Sequence, residues 1–271
     1  MSILRANTAL AASLLASTPL FAAPVTLTFD EVTSLAATVS PDGSEAILDI
    51  QGILWRVPMT GGEATQITRP ELEPGRAHWS PAGDLVAMQA YRAGTFDIWT
   101  MAPDGSDLKQ LTDAPFDERE PEVSPDGAAI AFVSDRSGTY DVWSIDIASG
   151  ALTQWTDSPG EKAYPTWSAD GAEIAFVVDK TEIKAVGRDG QTRDLVSGIK
   201  GVAYAPSWTK GEAGGEISWI RSTPGKADLM VGNEVRLAGH DIFPFRVRWE
   251  DDGTAILTGD GGLLRLAPGA D

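Results

Sequence analysis

The sequence predicts an all-β protein, a six-bladed β-propeller of four-stranded antiparallel blades whose ring is closed by the N-terminal strand. Three observations predict it. A turn of the Ser-Pro-Asp-Gly type recurs six times at intervals of 40 to 44 residues. Each recurrence is followed by the same order of short strands and turns. The last copy lacks an outer strand, and a segment that could supply it stands ahead of the first copy.

The turns begin at Ser40, Ser80, Ser124 and Ser168, with looser copies at Thr209 and Glu250. Val39, Trp79, Val123, Trp167, Trp208 and Trp249 stand just before them. An apolar strand comes next, as in residues 129–133 (AIAFV) or 173–177 (EIAFV), then a polar hairpin such as 135–139 (DRSGT). A third strand is centred on Trp55, Trp99 or Trp143, and a Gly turn leads to a last strand ending Ile67-Thr68, Leu111-Thr112 or Trp155-Thr156. Alternating apolar and polar residues specify strands, and Asp-Gly and Ser-Gly pairs supply turns that tolerate positive φ. Four short strands in 40 to 45 residues is the period of a propeller blade. Such a unit has two apolar faces, and stacking between neighbours buries both. Trp99 and Trp143 are therefore expected between blades.

The sixth copy has its turn (251–253) and two further strands (254–258 and 263–266). Residues 25–29 (VTLTF) resemble the outer strand at 152–156 (LTQWT) and are expected to pair beside 263–266. That pairing would also remove an exposed sheet edge.

Hydrophobic residues make up 42% of the 271-residue chain, enough for a sizeable core, and 28 Gly and 17 Pro suit many tight turns. The net charge is −18, and no Asp or Glu precedes Asp30. The folded part thus carries all the acid, which repels nucleic acid phosphates and anionic lipid. With no cysteine, disulfides, thiolate metal sites and Cys nucleophiles are excluded. Arg5 followed by the apolar stretch 8–23 fits a secretory signal. The expected organisation is a signal peptide over 1–23 and one propeller over 24–271. The protein is then periplasmic or secreted, with no membrane insertion after cleavage.

At these motifs the chain resembles the TolB-like propeller family, a group with WD40-like repeats. The match rests on Ser-Pro-Asp-Gly, on residues 131–143 (AFVSDRSGTYDVW) and on the Leu-Thr strand end. The first blade, 42–68, is also similar to the propellers that precede an amidohydrolase domain in exported enzymes, most closely at 61–64 (GGEA). TolB carries a small α/β domain ahead of its propeller, and the amidohydrolase relatives continue beyond theirs; neither extension is expected here.

Catalytic signatures are sparse. Only His78 and His240 occur, and there is no G-x-S-x-G, H-E-x-x-H or phosphate-binding glycine loop. No D-x-D-x-D-G calcium loop occurs, so the Asp-Gly pairs read as turns. No cofactor and no resident metal are expected. The positions just before each turn belong to the innermost strand and reach the mouth of the central channel. They carry Arg76, His78, Glu120, Glu122, Tyr164, Arg246 and Arg248, a ring of mixed charge. Loops of all blades converge at such a mouth. The expected function is non-catalytic binding of a protein or peptide, with no nucleic acid partner. Two alternatives stand beside it. One is a propeller that serves an amidohydrolase- or peptidase-type enzyme whose catalytic domain is separate or lost; the other is a propeller enzyme with a channel metal acting on a small molecule or sugar.

Overall fold

The computed structural model describes residues 2–4, 36–92, 94–210 and 215–269. Six four-stranded antiparallel sheets make up the fold. Blade one is built from Ala36–Val39, Glu45–Ile50, Ile53–Pro58 and Thr65–Gln66, paired in that order. Blade two runs from Pro74–Trp79 through Val86–Arg92 and Thr95–Met101 to Lys109–Gln110, and blade three from Glu118–Val123 through Ala129–Ser134 and Asp141–Asp146 to Leu152–Gln154. Blade four uses Lys162–Trp167, Glu173–Val178, Glu182–Gly187 and Thr192–Val196. Blade five uses Val202–Trp208, Ile217–Thr223, Lys226–Val231 and Glu234–Leu237. In blade six Arg248–Trp249, Ala255–Gly259 and Gly262–Leu266 are joined by Ser2–Leu4, whose Ile3 sits opposite Leu264. The expected closing segment, residues 25–29, lies outside the described residues.

Each repeated motif has a hydrogen-bonding reason. In the turns, the Ser40 hydroxyl donates to Asp42 Oδ1 at 2.6 Å and accepts from Glu45 N at 3.0 Å. Ser124 and Ser168 do the same with Asp126 and Asp170. Ala82 replaces the Asp in blade two, and Asp84 takes over as acceptor from Ser80 at 2.7 Å. The turn glycines, Gly43 at φ 71° and Gly127 at φ 74° among them, sit where a Cβ is disfavoured. The Leu-Thr strand end is explained by its hydroxyl. Thr68, Thr112 and Thr156 Oγ1 accept from Leu54, Ile98 and Val142 N, all within 2.8–2.9 Å, carrying the ladder past the last strand.

Alternation along the second strands divides the core between seams. Ile130 and Phe132 pack toward blade two, Ala131 and Val133 toward blade four. Ile174 and Phe176 likewise face blade three, with Ala175 and Val177 facing blade five. The ring also packs shut, because Ile256 and Leu263 of blade six join Leu48, Trp55 and Val57 of blade one. Trp99 is buried against blade one, as expected. Trp143 differs. It is only partly buried on blade two, and the Arg136 guanidinium, 5.0 Å from its ring centroid, covers part of it instead of apolar atoms.

Candidate functional site at the channel

A repeated backbone irregularity positions the centre. The inner strands of blades two to five shift register between Gly75 and His78, Arg119 and Glu122, Ala163 and Thr166, and Tyr204 and Ser207. Within each bulge one non-glycine residue has positive φ: Arg76 at 55°, Glu120 at 60°, Tyr164 at 54° and Ala205 at 47°. These are equivalent positions, four residues ahead of each turn. A bulge breaks the alternation of a strand and re-aims a side chain. Pro121, Pro165 and Pro206 follow three of the four. Having no N–H, they leave no orphan donor where the ladder is interrupted.

The re-aimed side chains meet. Arg76, His78, Glu120, Tyr164 and Arg246, with Phe245, line a constriction whose cavity is about 10 Å3. Arg246 crosses it from blade six. Its guanidinium pairs with Glu122 of blade three and donates to the Pro165 carbonyl of blade four at 2.6 Å. Glu120 accepts from Tyr164 N and takes Gln89 Oε1 on its own N–H at 2.8 Å. Arg76 lies 5.4 Å from the ring centroids of both Tyr164 and Phe245.

Above the constriction, on the face of the Ser-Pro-Asp-Gly turns, a funnel of about 790 Å3 opens. His78, Glu122, Arg246 and Arg248 are among its lining residues, together with the partly exposed Trp208 and the edges of the buried Trp79, Trp167 and Trp249. On the opposite face a pocket of about 290 Å3 is bounded by Asp49, Glu73, Arg76, Gln89 and Phe96.

The seven residues expected at the mouth divide between the constriction and the funnel, and they fall into two roles. Those two positions before a turn tie neighbouring blades together. His78 Nδ1 accepts from Val123 N at 3.3 Å, Glu122 Oε1 from Trp167 N at 3.1 Å, and Arg248 donates to the Val39 and Pro41 carbonyls at 3.0 and 2.7 Å. Those four positions before a turn face the axis. Trp208, next to the fifth turn, is a lining residue that the charged ring does not include.

Burial dominates the electrostatics. Desolvation and the nearby Arg246 charge push His78 down to about 3, so it is neutral, with its proton on Nε2. Burial raises Glu120, against the opposing pull of Arg76 and the Tyr164 N–H. Burial, then the Glu120 charge, raises the Tyr164 phenol to about 12, and burial lowers Arg246 to about 9. Among the described residues no group of three or more His, Asp or Glu side chains is disposed to hold a metal. No described helix is long and apolar enough to cross a membrane.

The repeated four-stranded blades agree with the comparisons. The family model described as the TolB beta propeller domain matches residues 35–209. The chain belongs to that family. No curated protein matches it. Among solved structures it is similar to a protein assigned as TolB in Agrobacterium tumefaciens, at 21% identity and TM-score 0.69, over 89% of this chain and 92% of that one. TolB from Acinetobacter baumannii matches at 21% identity and TM-score 0.62, over 80% of this chain and 57% of that one. An oligogalacturonate lyase from Vibrio parahaemolyticus shares 12% identity at TM-score 0.60, over 84% and 73% of the two chains. At these identities the likeness is one of fold.

Proposed function

We propose that this TolB-family propeller is an exported, non-catalytic scaffold that takes a protein or peptide segment into the funnel on its turn face. The carrying observation is the funnel itself: about 790 Å3, lined in part by Trp208 and by the Arg246–Glu122 ion pair. Trp208 gives the funnel a partly exposed aromatic ring, backed by the buried Trp79, Trp167 and Trp249, and Lys210 and Asp251 pair with each other among its lining residues. A side chain or chain terminus entering there would exchange hydration for these groups without moving the blades. The oligogalacturonate lyase supports no second reading, because at 12% identity it shares the fold alone.

Photo-crosslinking in the native compartment tests the reading. A benzophenone amino acid in place of Lys210 or Ala169 is expected to give a discrete adduct. The same group in place of Lys109 or Arg193, on outer strands, is expected to give none. Adducts only from the outer strands would move binding to the side of the ring.

A further inference from the structure

The repeat provides its own comparison at the blade seams. Between blades three and four, Asp141 opens the third strand of one blade and Lys162 the first strand of the next. Both are buried, and the ammonium lies 3.0 Å from Asp141 Oδ1 while also donating to the carbonyls of Ser158 and Gly160, the latter at 2.8 Å. A cation thus sits in a nest of three oxygens. Moving back 44 residues, the same two positions between blades two and three hold Asp97 and Glu118. Two carboxylates stand where the neighbouring seam has a carboxylate and an ammonium.

The connecting loops run without insertion, residues 112–118 (TDAPFDE) against 156–162 (TDSPGEK). They are anchored alike: Asp117 N donates to Asp135 Oδ1 at 3.0 Å, and Glu161 N to Asp179 Oδ1 at 2.9 Å. Nor does the fold demand an acid here, since Ile53 and Pro74 hold these places between blades one and two.

Both carboxylates are inaccessible, Asp97 at 3% and Glu118 at 0% exposure. Gln110 Nε2 reaches Asp97 Oδ2 at 3.1 Å, and Arg136 pairs with Glu118 Oε1. The remaining oxygens, Asp97 Oδ1 and Glu118 Oε2, are buried and make no well-formed hydrogen bond among the described residues, although the Thr112 hydroxyl lies near enough to Glu118 to favour its charged form. Asp97 Oδ1 is the equivalent of the atom that holds the Lys162 ammonium. Asp113, Asp117 and Asp135 add negative potential around the pair, and Arg119 is engaged by Asp117. An unpartnered buried charge is among the costliest features a fold can carry.

We propose that the seam between blades two and three is a cation site, in which Asp97 Oδ1 and Glu118 Oε2 hold a hard divalent ion of the calcium type in the place the Lys162 ammonium takes one seam on. Two carboxylates supply the charge, and backbone carbonyls of the 112–117 loop complete the set, as carbonyls commonly do around Ca2+. The ion would clamp two blades near the outer end of their seam.

Thermal melts of chelator-treated protein at pH 7.5 test this, with CaCl2, MgCl2 or NaCl added back at matched ionic strength. Calcium is expected to raise the melting temperature by several degrees, through ordinary ligand linkage. Asp97→Asn and Glu118→Gln are expected to lose that response, while Asp104→Asn, an exposed turn acid, retains it. Should neither seam variant fold, titration calorimetry of the wild type with CaCl2 decides: one saturable site supports the proposal, and heats without saturation overturn it. A wild type that melts alike in chelator and calcium also overturns it. If that protein is instead stabilised by acidification to pH 5.5, and Asp97→Asn is not, the seam holds a shared proton and no metal. That fallback has a physical basis, because burial and then the Glu118 charge raise Asp97 to about 6.

Discussion

Arg246 reaches from blade six across the axis to Glu122 and the Pro165 carbonyl, and this one guanidinium leaves only a small cavity at the constriction. Its charge is buried and spent on a partner. Arg246→Gln is therefore expected to cost about 3–5 kcal/mol in denaturant unfolding, because Glu122 is left charged and uncompensated. Pairing it with Glu122→Gln should restore part of the loss; a double variant as unstable as the single would mean the ion pair is not the source. The two tryptophans differ by the same reasoning. Trp99→Ala should cost about 3–5 kcal/mol, since the ring is enclosed by blade one. Trp143→Ala should cost clearly less, about 1–3 kcal/mol, because its ring is partly open and partly covered by Arg136. Equal losses would refute the distinction. That Arg246 and Glu122 belong to one ring was legible from their offsets to Glu250 and Ser124. That they pair was not, because a contact between opposite blades depends on the channel's radius, which no local pattern encodes.

Turns and bulges show the same contrast for whole elements. The Ser-Pro-Asp-Gly turns were legible because their residues are chosen by backbone chemistry. The bulges were not, since Arg76, Glu120, Tyr164 and Ala205 share no property that marks positive φ; the prolines following three of them were the only hint. Ala205→Gly tests the strain. Relief of a left-handed alanine is worth about 1–2 kcal/mol. The lost buried methyl and the added glycine entropy together cost about the same. The variant should be near neutral by thermal melting, whereas Ala175→Gly, in an ordinary strand of blade four, should lose about 1–2 kcal/mol. A similar loss at both sites would mean that the bulge carries no strain. The turns set an acid limit. Hydroxyl and N–H donors from Ser40 and Ser44 hold Asp42 down to about 2, and equivalent bonds lower Asp126 and Asp170. Folded-state values below unfolded ones give stability that is present above about pH 4 and lost as pH falls through the depressed values. Asp42→Asn, Asp126→Asn and Asp170→Asn combined should flatten the acid limb of a stability–pH curve below pH 4. An unchanged limb would place the acid sensitivity elsewhere.

For the whole molecule, six interblade cores are joined in a circle, and the weakest joint decides its stability. Five seams are covalently continuous through the chain; the sixth, between blades six and one, rests on packing of Ile256 and Leu263 against Trp55 and Val57, on the Arg248 bonds to Val39 and Pro41 carbonyls, and on whatever strand pairs with Gly262–Leu266. That edge is apolar and would otherwise expose unpaired backbone groups. In the structure Ser2–Leu4 occupies it, with Ser2, Ile3 and Leu4 opposite Arg265, Leu264 and Leu263. The sequence offers a second candidate, residues 25–29, whose VTLTF matches the outer-strand pattern of the other blades. The two make opposite demands on export, because cleavage near residue 23 removes the first and leaves the second at the new terminus. Two deletions in the exported, N-terminally sequenced protein separate them. If residues 25–29 close the mature ring, deleting 25–30 should lower the melting temperature by several degrees and broaden the transition, since an unpaired sixth blade frays before the rest. Deleting 2–4 from the precursor should then leave the mature melting curve unchanged. A mature protein that retains Met1, or one that melts normally without 25–30, would assign the closing strand to Ser2–Leu4.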